Sequence, residues 1–241
     1  MNWVPAIVRA IVLALLLLFL VWPELFEPVF APLTQNSAPA IYARQSLLTL
    51  AWQHLAIVGV ATGAATLIAV AMAILVTREA GAELLPFARS IVNIGQTFPP
   101  VAVLALAVPM LGFGTKPTLV ALFLYALLPI FENTLTALTT LPRDVTDAAR
   151  GAGMTGFQKL VQVELPLSIP LILAGVRIAV VISLATATIG STVAASTLGE
   201  VIIAGLLSNN TAFVLQGGLV VAVMAVLLHD ALVFIERRLG A

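Results

Sequence analysis

The sequence predicts an all-α, polytopic membrane helix bundle. Two observations carry that prediction. Of the 241 residues, 61% are hydrophobic and 9% charged, with a mean hydropathy of +1.13. A water-soluble domain carries about 25% charged residues, and a hydrated surface cannot be made from so few. Second, the apolar residues gather into six stretches, each near the roughly 20 residues that a helix needs to cross the hydrocarbon core.

In chain order, the first stretch runs from Ala6 to Trp22 and is closed by Pro23. Arg9 and the apolar run give it the outline of a signal peptide, but no small-x-small cleavage site with an acceptable following residue is evident, so it is read as a retained span. The second, Leu47 to Thr77, is long enough to cross with tilt. The third, Phe87 to Leu111, holds Pro99, Pro100 and Pro109, which remove backbone donors and predict a bent span. The fourth runs from Pro117 to Thr140, the fifth from Leu167 to Gly190 and the sixth from Ala212 to Ile235. In the second stretch Ala56, Gly59, Gly63 and Ala64 form a small-residue face suited to close helix packing.

The connections are as informative as the spans. Pro23 to Ser46 holds four prolines and reads as a loop. Ile189 to Thr211 lacks Lys and Arg, is rich in Ser, Thr and Asn, and reads as a dipping loop or a short surface helix. Lys and Arg mark the cytoplasmic side. With the N-terminus inside, Arg9, Arg78, Arg89, Arg143, Arg150, Lys159, Arg237 and Arg238 fall on that side, while Arg44 and Lys116 fall outside. Both termini are therefore expected in the cytoplasm. The expected division is 1–46, an N-terminal helix with its outer loop, and 47–241, a transmembrane domain with a cytoplasmic loop at 141–166.

That loop is the most polar part of the chain. Pro142 suits a helix start, and Asp144 and Asp147 sit where the helix dipole favours acids. Ala148, Ala149 and Ala152 make a flat helical surface, and Gly151 and Gly153 allow a turn. Met154, Phe157, Leu160 and Val161 then recur at helical spacing. The pattern reads as a short helix, a glycine turn and an amphipathic piece ending at Leu165-Pro166.

The string Asp147-Ala148-Ala149, three residues, Gly153, nine residues, Val163, one residue, Leu165-Pro166 resembles the EAA loop of the ABC-importer permeases. Asp stands for the usual Glu and Val for the usual Ile. The resemblance implies a type I importer permease fold in which this loop docks on a cytoplasmic ATPase. Further segments resemble the osmoprotectant branch for glycine betaine, choline and carnitine. They are Gly95 to Ala105, Gly112-Phe113-Gly114 with Pro117, Ala126 to Ile130, Leu173 to Arg177, Thr186 to Ile189, and Ser196-Thr197-Leu198-Gly199. The resemblance covers roughly residues 45 to 235. It implies two ATPase copies, a second permease that is a non-identical paralogue, and a periplasmic or lipid-anchored substrate-binding protein, all at a bacterial inner membrane. It also implies that Leu198 and Gly199 belong to an outer gate.

Two charges fall deep inside predicted spans, whereas Asp230 lies near the inner end of the sixth. Glu132 and Arg177 are expected to pair, since an unpaired intramembrane charge costs on the order of 3 kcal/mol; Arg177 snorkelling alone is the alternative. A quaternary ammonium substrate favours aromatic faces. Phe98, Phe123, Tyr125 and Phe213 are accordingly candidate path lining, and Gln96, Pro99 and Pro100 of the bent third span join them because bent helices at membrane depth line cavities or pack on protein.

Several classes receive no support. With no cysteine, and with His54 and His229 far apart, no metal site or cofactor is expected. Zero net charge gives no reason to expect nucleic acid as a partner. The sequence around Gly112 to Thr118 lacks the Gly-Lys-[Ser/Thr] of a phosphate loop. No nucleophile elbow or HExxH is present, so the chain is read as a non-enzymatic transport subunit. An importer for amino acids or another zwitterion remains the nearest alternative. A passive channel would not need the EAA-type loop, and an intramembrane enzyme would need a catalytic dyad.

Overall fold

The computed structural model describes residues 4–35 and 38–239, so the expected outer limits at Met1 and Ala241 lie outside the described residues. The helices are α1 (Val4–Val21), α2 (Glu27–Phe30), α3 (Leu47–Val76), α4 (Leu85–Thr97), α5 (Pro100–Leu111), α6 (Thr115–Thr139), α7 (Arg143–Gly151), α8 (Gly156–Lys159), α9 (Leu165–Ala187), α10 (Gly199–Leu207) and α11 (Thr211–Leu239). No strand occurs among the described residues. Four helical stretches are long and apolar enough to cross a membrane, and two sharply bent pairs raise the number to as many as six.

The bent pairs differ from the sequence expectation in an instructive way. The third apolar stretch is two helices, with α4 and α5 meeting at 97°. Phe98 between them is extended, with φ −86° and ψ 134°. A residue before proline is pushed out of the helical region, and Pro100 then starts α5, where its missing N–H costs nothing. The double proline thus breaks the span, whereas Pro109 is carried inside α5. The segment after α1 is likewise not a plain loop. Pro23–Leu33 forms consecutive helical turns running at 110° to α1. Phe26 and Phe30 pack on Phe19, with ring centroids 5.0 and 5.5 Å away.

The chain falls into two compact units that interleave along the sequence, a partition different from 1–46 and 47–241. One comprises Met1–Val60, Pro100–Leu122 and Ser183–Leu228; the other comprises Ala61–Pro99, Phe123–Ile182 and His229–Ala241.

In the second unit, Ala65, Ala69 and Ala73 form an i, i+4 stripe along α3. They are fully buried against Val92 of α4, Ala126 and Ile130 of α6 and Ala179 of α9. Side chains of one carbon let the helix axes approach closely, which is how membrane helices associate without a hydrophobic force between them. The expected small-residue face lies elsewhere: Ala56, Gly59, Gly63 and Ala64 are exposed, and a Cβ on either glycine would meet nothing within 4 Å. Composition identified α3 as a helix with small faces, but not which face this chain fills.

In the first unit, the backbone of residues 39–42 is held by amide side chains. Asn210 Nδ2 donates to Pro39 O at 2.8 Å, and Gln216 Nε2 donates to Ala40 O at 2.6 Å. Tyr42 N donates to Gln216 Oε1 at 3.2 Å. His54 is buried and joins three elements: Leu198 N donates to its Nδ1 at 3.3 Å, and Nε2 lies 3.0 Å from Leu184 O. The ring therefore accepts at Nδ1 and donates at Nε2, a neutral tautomer fixed by two backbone groups.

Candidate functional site

The loop from 141 to 166 begins with α7, whose N-cap is Pro142 and whose first turn carries Asp144. Ala149 is buried, whereas Asp147, Ala148 and Arg150 are exposed. Asp147 and Arg150 pair one turn apart at 3.8 Å. Within this chain α7 is therefore held by one small side chain, and its polar face is open. Gly153 ends the helix at φ +74°. In that left-handed conformation a side chain costs about 1–2 kcal/mol. The Gly153 N–H donates to Arg150 O at 2.9 Å and the Met154 N–H to Ala149 O at 3.2 Å, satisfying carbonyls at the end of α7.

The second half of the loop is continuous with the fifth span. Thr155 caps α8 by exchanging hydrogen bonds with Gln158, at 3.2 and 2.9 Å. A π turn at Leu160–Glu164 leads directly into α9, and one helical run extends from Gly156 to Val193. The amphipathic piece was expected to end at Leu165-Pro166. It does not, because the wide π turn lies directly before Pro166, where an ordinary helical turn would bring the ring against the preceding carbonyl. Val163, Leu165 and Pro166 are thus part of a rigid connection.

Glu164, which carried no role in the sequence reading, anchors this connection. It is 4% exposed and receives Arg78 Nη1 at 2.7 Å and Lys159 Nζ at 3.0 Å. Arg78 follows the end of α3, so one buried carboxylate ties that helix end to the loop. The available signal was an acid two residues before the proline, with basic residues in two neighbouring segments.

The expected Glu132–Arg177 pair does not form. Glu132 accepts Arg89 Nε at 3.1 Å and Arg89 Nη2 at 3.4 Å, and Arg177 lies 3.6 Å from Glu236. Helix geometry explains the exchange. A Cβ at Gly95 would stand 2.1 Å from Leu124 O, so α4 runs directly against α6 and brings Arg89 to Glu132. Helix α9 meets α6 at Gly175, beside Pro129 and Ile130. At about 100° per residue, Arg177 points away from that contact and toward α11.

The candidate path residues separate into two groups. Gln96 Nε2 donates to Tyr125 O at 3.4 Å, and Tyr125 Oη donates to Phe98 O, so α6 holds the break in α4 in place. Gln96, Phe98 and Pro99 are exposed in the single chain. Pro100 and Phe123 are half-buried, and Phe123 packs on the Ala-stripe core. Phe213 is corrected: it is buried in edge-to-face contact with Tyr42, centroids 5.5 Å apart, and serves as packing. The candidate gate residues Leu198 and Gly199 begin α10 and are buried. A Cβ on Gly199 would sit 1.9 Å from Thr188 O, so only glycine fits. Tyr42 Oη donates to Glu200 at 2.8 Å; burial first, then that carboxylate, push the phenol up to about 12. No group of acids and histidines able to hold a metal occurs among the described residues.

A bundle of long apolar helices with an exposed loop helix is the architecture of an integral membrane protein. The particular family is given by sequence: residues 65–240 match the model for the binding-protein-dependent transport system inner membrane component, and the chain belongs to that family. It is 40% identical over 199 residues to an osmoprotectant import permease protein, OsmY, of Salmonella typhimurium, covering 82% of this chain and 84% of that one. It is 39% identical over 194 residues to the carnitine transport permease protein OpuCB of Listeria monocytogenes, covering 80% and 88%. Among solved structures, the inward-facing MetNI methionine ABC transporter matches with a TM-score of 0.73 at 23% identity, over 81% of this chain and 96% of that one. That likeness concerns the fold. The chain is a non-catalytic permease subunit, and ATP hydrolysis belongs to a separate ATPase.

Proposed function

We propose that this chain forms half of the translocation path of an inner-membrane importer for osmoprotectants such as glycine betaine, and that α7 couples it to the ATPase. The observation that carries the coupling is the open polar face of α7 on a loop whose base is braced by Glu164 and whose far side is continuous with α9. A push on α7 would reach the spans as rigid-body motion and not be lost in a flexible loop. The substrate class follows the names of the similar permeases. The assembly has two ATPases, a second permease that is a non-identical paralogue, and a periplasmic or lipid-anchored binding protein, with both termini of this chain in the cytoplasm.

The exposed surface of α4 carrying Gln96 and Phe98, together with the half-exposed Arg89–Glu132 pair, is the wall of that path. Charges at membrane depth are tolerated where they face a polar cavity or protein. Labelled glycine betaine uptake, with unlabelled carnitine, choline and amino acids as competitors, tests the substrate class. Competition by the quaternary amines alone is the expected result. Competition by amino acids alone overturns it in favour of an amino-acid importer.

A further inference from the structure

At the root of the α6–α9 loop lies a cavity of about 340 Å³. Four cationic side chains line it, Arg78, Arg143, Arg150 and Lys159, against one carboxylate, Glu164. That carboxylate is already committed, since it forms ion pairs with both Arg78 and Lys159. Arg150 has an exposed partner, Asp147, at 3.8 Å. Arg143 forms no ion pair among the described residues. Glu79 lines an adjoining cavity with Arg78, Arg150 and Lys159, and Asp144 stands beside Arg143 in the first turn of α7. The hydroxyls of Thr77, Thr139 and Thr146 donate to backbone carbonyls, so an entering group would meet cations and not hydroxyl donors.

The cavity lies just past the last residues of α3 and α6, with Leu138 and Leu141 on its wall. These helices cross the membrane, so their ends are at the level of the lipid headgroups. Basic pockets between membrane helices on the cytoplasmic side are sites for anionic headgroups. Arginine is the side chain best shaped to hold two phosphate oxygens at once.

We propose that this cavity binds the phosphate of an anionic phospholipid, held by Arg143 and Arg150, whose neighbouring acids Asp144 and Asp147 do not line the cavity, and that the lipid ties α7 to the helix ends. This inference rests on the cytoplasmic placement of the loop in the function proposed above. The test uses the full chain, purified in mild detergent with and without its co-expressed ATPase. Native mass spectrometry counts bound lipid during titration with phosphatidylglycerol, with phosphatidylcholine and with inorganic phosphate.

The expected result is tight binding of phosphatidylglycerol, weak binding of phosphatidylcholine and little displacement by inorganic phosphate. In Arg143→Gln the affinity for phosphatidylglycerol should fall roughly five-fold, the worth of one basic residue near an anionic surface. Adding Arg150→Gln should weaken it again. Unchanged binding in the double variant, or equal binding of phosphatidylcholine, overturns the site. Displacement by equimolar inorganic phosphate overturns the lipid assignment. Failure of the ATPase to co-purify while the arginine-dependent lipid remains bound would contradict the coupling role and leave the lipid site standing.

Discussion

Two segments outside the long helices of this chain are built on opposite plans. Residues 39–42 are held by hydrogen bonds without an ion pair: Asn210 and Gln216 take backbone groups, the Tyr42 hydroxyl takes the Glu200 carboxylate, and Gln216 is fully buried. Residues 143–164 are held at the base by charge, through Glu164 with Arg78 and Lys159, while Asp147, Ala148 and Arg150 remain exposed. In the first segment the polar groups find partners inside the chain, and the segment is structure. In the second, Asp147, Ala148 and Arg150 stay exposed on α7, and we propose that this open face is an interface. The lesson is that polarity alone does not mark a candidate functional loop; a polar face left exposed on a braced helix does.

The largest expected effect breaks the second plan at its turn. Gly153→Asp places a side chain at φ +74° and should abolish uptake while membrane insertion, read by fractionation, is unchanged. Gly153→Asn should retain more activity, because asparagine visits the left-handed conformation as aspartate does but adds no charge to the turn. If both variants transport normally, the turn does not present α7.

Next comes the brace. Glu164→Gln leaves Arg78 and Lys159 facing a neutral amide, and uncompensated buried charge costs about 3 kcal/mol. A clear drop in the thermal midpoint of the detergent-solubilised chain is expected, and an unchanged midpoint would mean the two cations are solvated. In the amide network, Gln216→Ala strands the Tyr42 N–H and the Ala40 carbonyl and should cost about 1–3 kcal/mol. Its signature differs: stability falls, but ATPase co-purification persists.

The smallest effect concerns the membrane charges. Both pairs are partly exposed in the single chain, so each single substitution should cost less than about 3 kcal/mol, the cost of a charge left unpaired in lipid. Glu132→Gln and Arg177→Gln should add within about 0.5 kcal/mol, as distant sites do. Glu132→Gln with Arg89→Gln should not add. The reverse pattern would restore the pair expected from sequence.

Much of this was readable before the structure. The apolar runs located the long helices to within a few residues, because lipid enforces length and hydropathy together. The Asp147 to Pro166 spacing located the loop, because its glycine and proline carry fixed backbone demands. What escaped was rotational and pairwise. Which alanines of α3 face inward, which arginine reaches Glu132, and that Glu164 takes two cations all depend on helix rotation, which composition does not encode. The break at Phe98-Pro99 was underestimated as a bend, since two adjacent prolines start a helix more readily than they kink one.

The central claim is that α7 touches the ATPase. The chain contains no cysteine, so a single cysteine replacing Asp147 gives one defined reporter. Cross-linking of that cysteine to the co-expressed ATPase, in a transporter that still takes up glycine betaine, is the predicted result. A transporter that remains active and yields no cross-link from Asp147 or from the neighbouring Ala148 would contradict it.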